Sequence, residues 1–319
     1  MRLPSLERLE HAAGIVYRTL QPTPQYAWPL LSERLGTEVW LKHENHTPLG
    51  AFKVRGGLVY FHQLEAEGVR PAGVVGATRG NHGQSVAFAA RRHGVGATLV
   101  VPHGNSHEKN DAMRALGARL VEHGEDFQAA REHAENLARE QGLHMVPSFH
   151  PYLVEGVASY SLELFNAVPD LDVLYVPIGL GSGICGAIAA REALGLATEI
   201  VGVCSSAAPA YAHSFAAGEP VECPVGTRLA DGLACRVPER SALDLILAHT
   251  SRVVEVSDSE VAEAMRLIFS CTHNVAEGAG AAAVAAVVRE RDSVAGRKVG
   301  AVLCGGNVDR DVFARVLAG

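Results

Sequence analysis

The segment LDVLYVPIGLGSGICGAIAAREALG (residues 171–195) decides the fold. Its apolar run VLYVP suits a strand buried on both faces. The run enters a glycine-rich turn and continues into an alanine-rich helical pattern. Glycines allow close backbone approach to an anion, and the free amides of a helix start can hold it. Strand, turn and helix make half of a βαβ unit, and the same alternation extends outward on both sides. TEVWLKHE (37–44) precedes a helix starting near Lys53, and AGVVGAT (72–78) precedes one over about 83–93. ATLVVP (97–102) precedes a helix around 109–116, and ARLVEHG (118–124) precedes the amphipathic DFQAAREHAENLAREQG (126–142). EIVGVC, RVVEVS and KVGAVLCGG are further strands. MVPSFHPYLVEG (145–156) reads as the return crossing into a second sheet. The expectation is an α/β protein of two doubly wound domains with mainly parallel sheets and a ligand cleft between them.

Composition narrows the function. The chain has 319 residues and a net charge of -7, enough for two α/β domains. No block of like charge points to nucleic acid or an anionic membrane, and no run approaches the ~18 apolar residues of a membrane span. The N-terminus lacks an apolar signal core. Six scattered cysteines without CxxC spacing read as reduced thiols in a cytoplasm. Of fifteen histidines, only His103 and His107 have a spacing worth weighing for a metal, and no acidic cluster supports one. No metal is expected.

Lys53 carries the chemistry. Only four lysines (42, 53, 109 and 298) stand among 28 basic residues, so one inside AFKVRGG needs a reason. A desolvated lysine amine loses its proton and attacks a carbonyl to form a Schiff base; a guanidinium cannot. Two more loops join the glycine turn. TRGNHGQ (78–84) places Asn81 where a strand turns into a helix, and VLCGGN (302–307) projects Cys304 from a strand end. Residues 181–186, GSGICG, also fit the dinucleotide fingerprint G-x-G-x-x-G. That site needs an acid at the end of the next strand, and EIVGVC ends in Cys204 and Ser205. A phosphate cradle without a dinucleotide is the better reading.

AFKVRGG, TRGNHGQ, GLGSGICG and CGGN, in this order over nearly the whole chain, resemble the fold-type II pyridoxal-phosphate enzymes. These are tryptophan synthase β-like proteins, and the similarity is to the threonine/serine dehydratase and serine racemase branch. The resemblance implies a large coenzyme-binding domain (1–66 plus 150–319), a small mobile domain (67–149), and pyridoxal 5'-phosphate in the cleft. It implies Lys53 as the Schiff-base lysine and general base, and Phe52 beside the ring. Asn81 corresponds to the residue at the phenolic oxygen, and Gly179, Leu180, Gly181, Ser182 and Gly183 to the phosphate loop. Cys304 corresponds to the residue facing the pyridine nitrogen. ADGLACR (230–236), with Gly232, and EGAGA (277–281), with Glu277, resemble segments lining the site. Thr78, Arg79, Gly80, Asn81 and His82 correspond to the substrate loop. With a thiol of reference pKa about 8.5 at the ring nitrogen, the ring is a weaker electron sink, favouring loss of a β-substituent.

The implied activity is a dehydratase, or ammonia-lyase, converting a β-hydroxy α-amino acid to a 2-oxo acid and ammonia. Threonine, serine, 3-hydroxyaspartate and 3-phenylserine share the reacting atoms. Arg79 stands where the racemase branch has a serine acid/base, and an arginine cannot easily take that part. It could instead pair with a distal carboxylate or stack on an aromatic side group. Cys204 stands where some relatives begin a divalent-cation site, so no such ion is expected. The short chain after CGGN implies no regulatory domain. The alternatives are an amino-acid racemase or β-replacement enzyme of the same fold, a nicotinamide-dependent oxidoreductase, and a silent ligand-binding relative. Relatives are often dimers or tetramers, and nothing in the sequence chooses between them.

Overall fold

The computed structural model describes residues 1–319. Its ten strands are β1 (Gln25–Ala27), β2 (Glu38–His43), β3 (Gly73–Ala77), β4 (Gly96–Val101), β5 (Arg119–Glu122), β6 (His144–Met145), β7 (Val173–Pro177), β8 (Glu199–Ser205), β9 (Arg252–Val256) and β10 (Lys298–Leu303). They form a six-stranded sheet in the order β1-β2-β10-β7-β8-β9 and a four-stranded sheet in the order β5-β4-β3-β6. Every pairing is parallel except β1 with β2, where Gln25 faces Lys42. The link from β1 to β2 holds one short helix, Pro29–Leu35, too little for a crossover between parallel neighbours.

The buried residues of β3 and β7 are continuous runs, as helices on both faces require. The segment 145–156 does make a return crossing, mostly as helix. After β6, His150 caps a helix over Pro151–Ala167, its Nδ1 accepting from the Tyr152 amide at 3.2 Å. That helix packs on the one beginning at Lys53 (Lys53–Ala66) through glycines: a β-carbon at Gly156 would collide with the Arg55 carbonyl.

A buried charge cluster lies beneath the Lys53 helix. The Arg55 Nε donates to Glu44 Oε2 at 2.7 Å and its Nη1 to Glu163 Oε1 at 2.6 Å. Lys42 donates to Glu163 Oε2 at 2.6 Å. Two cations face two carboxylates, so the cluster is neutral as a whole, and Thr23 and Ser159 supply further partners. It ties β2 to two helices and fixes the register in which Lys53 is presented.

Candidate active site

Four helices start at one cavity between the sheets. They begin at Lys53, Asn81, Ser182 and Gly278. Each leaves its first amides without intrahelical partners, so the cavity is lined with donors at its strand-end side. It holds about 850 Å³ including its open mouth.

The Lys53 amine lies 2.9 Å from Ser182 Oγ and 4.8 Å from the centre of the Phe52 ring. Lys53 is half-buried and lines the cavity. Burial lowers its pKa to about 8, against a small opposing effect of Cys304. A free amine is therefore abundant at mild pH. The amide of Phe52 donates to the Cys304 carbonyl at 3.1 Å, which joins the lysine segment to the end of β10.

The loop from Gly179 to Gly183 joins β7 to the helix Ser182–Leu194. Gly181 has φ +101°, and a β-carbon there would stand 2.6 Å from that of Ala242. A β-carbon on Gly179 would come within 2.5 Å of the Gly232 carbonyl oxygen. Leu180, which interrupts the glycines, turns its carbonyl to the Tyr211 hydroxyl at 3.0 Å. The loop is thus a backbone cradle whose shape depends on missing side chains.

The TRGNHGQ loop is braced from within. Thr78, expected among the substrate contacts, accepts the amides of Gly80 and Gly83 at 2.9 Å each. Gly80 has φ +146°, and a β-carbon there would strike the stem of Lys109. Asn81 donates to Glu277 Oε1 at 2.6 Å and accepts from Asn307 at 2.9 Å, so its amide orientation is fixed and one N–H is left over. His82 is pushed to about 3 by burial, then by Lys53, and is neutral; its Nε2 is buried without a partner. Arg79 lines the cavity, and its Nε is likewise buried without an acceptor.

Glu277, at 2 % exposure, is the one carboxylate buried beside Cys304. The Lys109 ammonium stands 2.9 Å from its Oε2 but off hydrogen-bonding direction, so that oxygen has a counter-charge and no donor. Lys109 also donates to Asp231 Oδ2 at 2.8 Å. Burial pulls the Lys109 pKa down, and the two carboxylates push it up further, so it stays charged. Burial raises Glu277, and Lys109 only partly offsets this. Burial, helped by the charge of Glu277, raises the Cys304 thiol well above its ordinary value, so it is neutral. Asp231 belongs to the ADGLACR segment expected to line the site, but Lys109 and its pairing with Asp231 were not anticipated from sequence. The one signal available was the scarcity of lysine.

Cys204, at the end of β8, is buried, and no group of three or more His, Cys, Asp or Glu side chains is arranged to hold a metal. No helix is long and apolar enough to cross a membrane.

These residues fit pyridoxal phosphate. The glycine cradle could take a phosphate, the amine of Lys53 an aldehyde, and the neutral thiol of Cys304 an unprotonated ring nitrogen, and Asn81 has one N–H to spare. Comparison with known proteins agrees. A family model described as "Pyridoxal-phosphate dependent enzyme" matches residues 16–305. The chain is 33% identical over 314 residues to an L-threonine ammonia-lyase of Thermotoga maritima, covering 98% of this chain and 78% of that one. It is 28% identical to an L-threo-3-hydroxyaspartate ammonia-lyase of Saccharomyces cerevisiae, covering 100% and 98%. The solved structure of maize serine racemase superposes with a TM-score of 0.91 at 25% identity, covering 99% and 98%. The match to the family model over most of its length and the Lys53 cavity together make this chain a member of the pyridoxal-phosphate dependent enzymes.

Proposed function

We propose that the protein is an ammonia-lyase that acts on β-hydroxy α-amino acids. The overall change converts the substrate to a 2-oxo acid and ammonia; the water lost from Cα and Cβ is regained on hydrolysis. The observation that carries this reading is the Lys53 amine, lowered to about 8 and placed between Phe52 and Ser182 of the glycine loop.

Bound there, pyridoxal phosphate supplies an electron sink that acidifies the substrate's Cα proton. The roles of the residues are those the resemblance implies, and their positions around the cavity support them. Gly179, Leu180, Gly181, Ser182 and Gly183 hold the phosphate with backbone amides and one hydroxyl. Phe52 and Gly232 would bound the ring, Asn81 would donate to its oxygen, and the neutral Cys304 would serve its nitrogen. The amides of Asn81 and His82, free at the start of their helix, hold the substrate's α-carboxylate. Lys53 Nζ takes the Cα proton, having a pKa near working pH. Ser182 Oγ, in contact with that amine, carries a proton toward the leaving hydroxyl. Neutral His82 excludes water beside the amine without adding charge. Closure of residues 67–149 over the site belongs to this reading; Lys109 to Asp231 and Ser106 to Asp309 already bridge the two halves.

Racemisation needs a second acid/base opposite Lys53. Arg79 holds its protons too tightly for that part. The test is a 2-oxo acid assay of the yellow holoenzyme with threonine, serine, 3-hydroxyaspartate and 3-phenylserine. Equimolar ammonia and 2-oxo acid from at least one is expected, and borohydride should bleach the protein and fix the coenzyme on Lys53. Inversion of serine with no ammonia released defeats the proposal.

A further inference from the structure

The cavity has two chambers. The inner one holds Lys53, the glycine loop, Glu277 and Cys304. The outer one opens between Phe149, Arg131 and Arg236. Arg79, Phe127, Ser148, Leu180, Ala234 and Cys235 line both and so form the neck between them.

Arg79 differs from the other arginines of this region in having no counter-ion; a buried Nε without a hydrogen bond it shares with Arg236. Arg131 is paired with Glu135 at 3.0 Å, and Arg236 with Asp126 at 3.0 Å and Glu222 at 3.3 Å. The acids of the inner chamber, Glu277 and Asp231, are matched by Lys109. Arg79 has no ion pair and no hydrogen bond, and its Nε is closed off from solvent with no acceptor. A guanidinium presents five N–H donors in its plane, and leaving one buried and unmet is unfavourable. Nothing in the chain answers it, so the missing acceptor belongs to something that enters the cavity.

The direction of entry defines that acceptor. The α-carboxylate is met by loop amides, and Cα by Lys53, so the substrate's side chain is the group that extends to the neck. A stacked aromatic ring would engage the face of the guanidinium and leave its in-plane Nε–H unmet. A carboxylate fills the fork with two charge-assisted hydrogen bonds. We propose that Arg79 binds a second carboxylate on the substrate's side chain, which makes the preferred substrate a β-hydroxy α-amino dicarboxylic acid of the 3-hydroxyaspartate type. This deepens the lyase reading and rests on it for the β-hydroxyl and for the placement of the α-carboxylate and Cα.

The test separates binding from turnover. Holoenzyme is titrated with L-aspartate and L-alanine, which lack a β-hydroxyl, and the coenzyme absorbance is followed. Aspartate is expected to bind at least about 30-fold more tightly than alanine. Arg79→Ala should abolish that advantage, and Arg79→Lys, which keeps a point charge but no fork, should restore part of it. The ratio of kcat/KM for 3-hydroxyaspartate over threonine should fall in parallel. Equal loss of aspartate and alanine binding would place Arg79 on the α-carboxylate and overturn the proposal. So would an unchanged ratio, or a preference for phenylalanine that Arg79→Ala removes. If threonine is deaminated and the ratio does not move, only the role of Arg79 falls. If no β-hydroxy acid is deaminated and the aspartate advantage depends on Arg79, the lyase reading falls and the carboxylate site stands.

Discussion

Lys109 stands 2.9 Å from Glu277 and offsets part of the upward push that burial gives this carboxyl's pKa. The two residues come from opposite sides of the cleft, Lys109 from the helix after β4 and Glu277 from the turn before the helix Gly278–Arg289. Glu277 in turn orients Asn81. The small sheet's side of the cleft therefore supplies the charge beside the carboxylate that holds Asn81.

Replacement of Lys109 by Met should leave Glu277 and Asp231 uncompensated. Loss of one partner from a buried ion pair typically costs about 3–5 kcal/mol. Part of that is relieved when Glu277 takes up a proton. Urea unfolding should show a loss of about 2–4 kcal/mol at neutral pH, shrinking as pH falls and Glu277 protonates in the variant. The coenzyme absorbance of Lys109→Met should titrate in a range where the parent's is flat. A variant as stable as the parent at all pH values, with the same spectrum, would show that the ion pair does not hold the site.

Lys53 gives a prediction in pH. Its amine titrates near 8 in the folded apoprotein against 10.5 when exposed. The rate at which apoenzyme captures pyridoxal phosphate should rise with pH to a midpoint near 8. Linkage gives the matching sign for stability. Between pH 8 and 10.5 the unfolded chain binds the proton that the folded chain has released, so this group's contribution grows as pH rises through that window and is lost as pH falls through 8. Comparison of apo parent with apo Lys53→Met across pH 7–11 isolates it. A capture midpoint near 10 would remove the desolvated base from the mechanism.

Gly181→Ala tests the cradle. The residue must keep φ +101° and would push its new methyl to 2.6 Å from Ala242. Left-handed strain in a non-glycine residue amounts to about 1–3 kcal/mol, before any steric shift. Coenzyme affinity should fall at least tenfold, measured by fluorescence on reconstitution. Gly195→Ala is the control. It also has positive φ, +65°, but nothing lies within 4 Å of its new methyl and it is remote from the cavity. It should lose some stability and no affinity. Equal affinity loss in both variants would mean that the cradle's shape is not what holds the phosphate.

The local parts of this site were readable in the chain. Lys53, the Gly179–Gly183 loop and Asn81 each lie where a strand runs into a helix, and their chemistry follows from neighbours a few residues away. The β-strands from β2 to β10 stood out as apolar runs for the same reason, except β1 and β6, which are too short to show a pattern. Lys109 and Asp231 were hidden because their meaning lies in each other, across 122 residues of sequence. The motif points Thr78 toward substrate, whereas in the fold its oxygen is committed to two loop amides. The sequence leaves two ligands open for Arg79, a carboxylate or an aromatic ring, and its unpartnered Nε is a feature of the fold that no sequence pattern carries.

Arg55 was equally silent in sequence, being one arginine among many, two residues beyond Lys53. It is wholly buried, and its guanidinium answers both Glu44 and Glu163. Arg55→Met removes one cation from two carboxylates that remain out of water, and Lys42 can serve only Glu163. The expected destabilisation is about 3–5 kcal/mol by chemical denaturation. Arg55→Lys keeps the charge but cannot form the fork, and should lose less. Because an unfolded variant would be uninformative about cause, Arg55→Met is also paired with Glu44→Gln. Removal of the stranded charge should recover part of the loss, since the harm lies in an unpaired buried carboxylate rather than in a missing contact. If the double variant is less stable than Arg55→Met by the full cost of Glu44→Gln alone, the two residues are not coupled, and the cluster beneath Lys53 is packing rather than electrostatics.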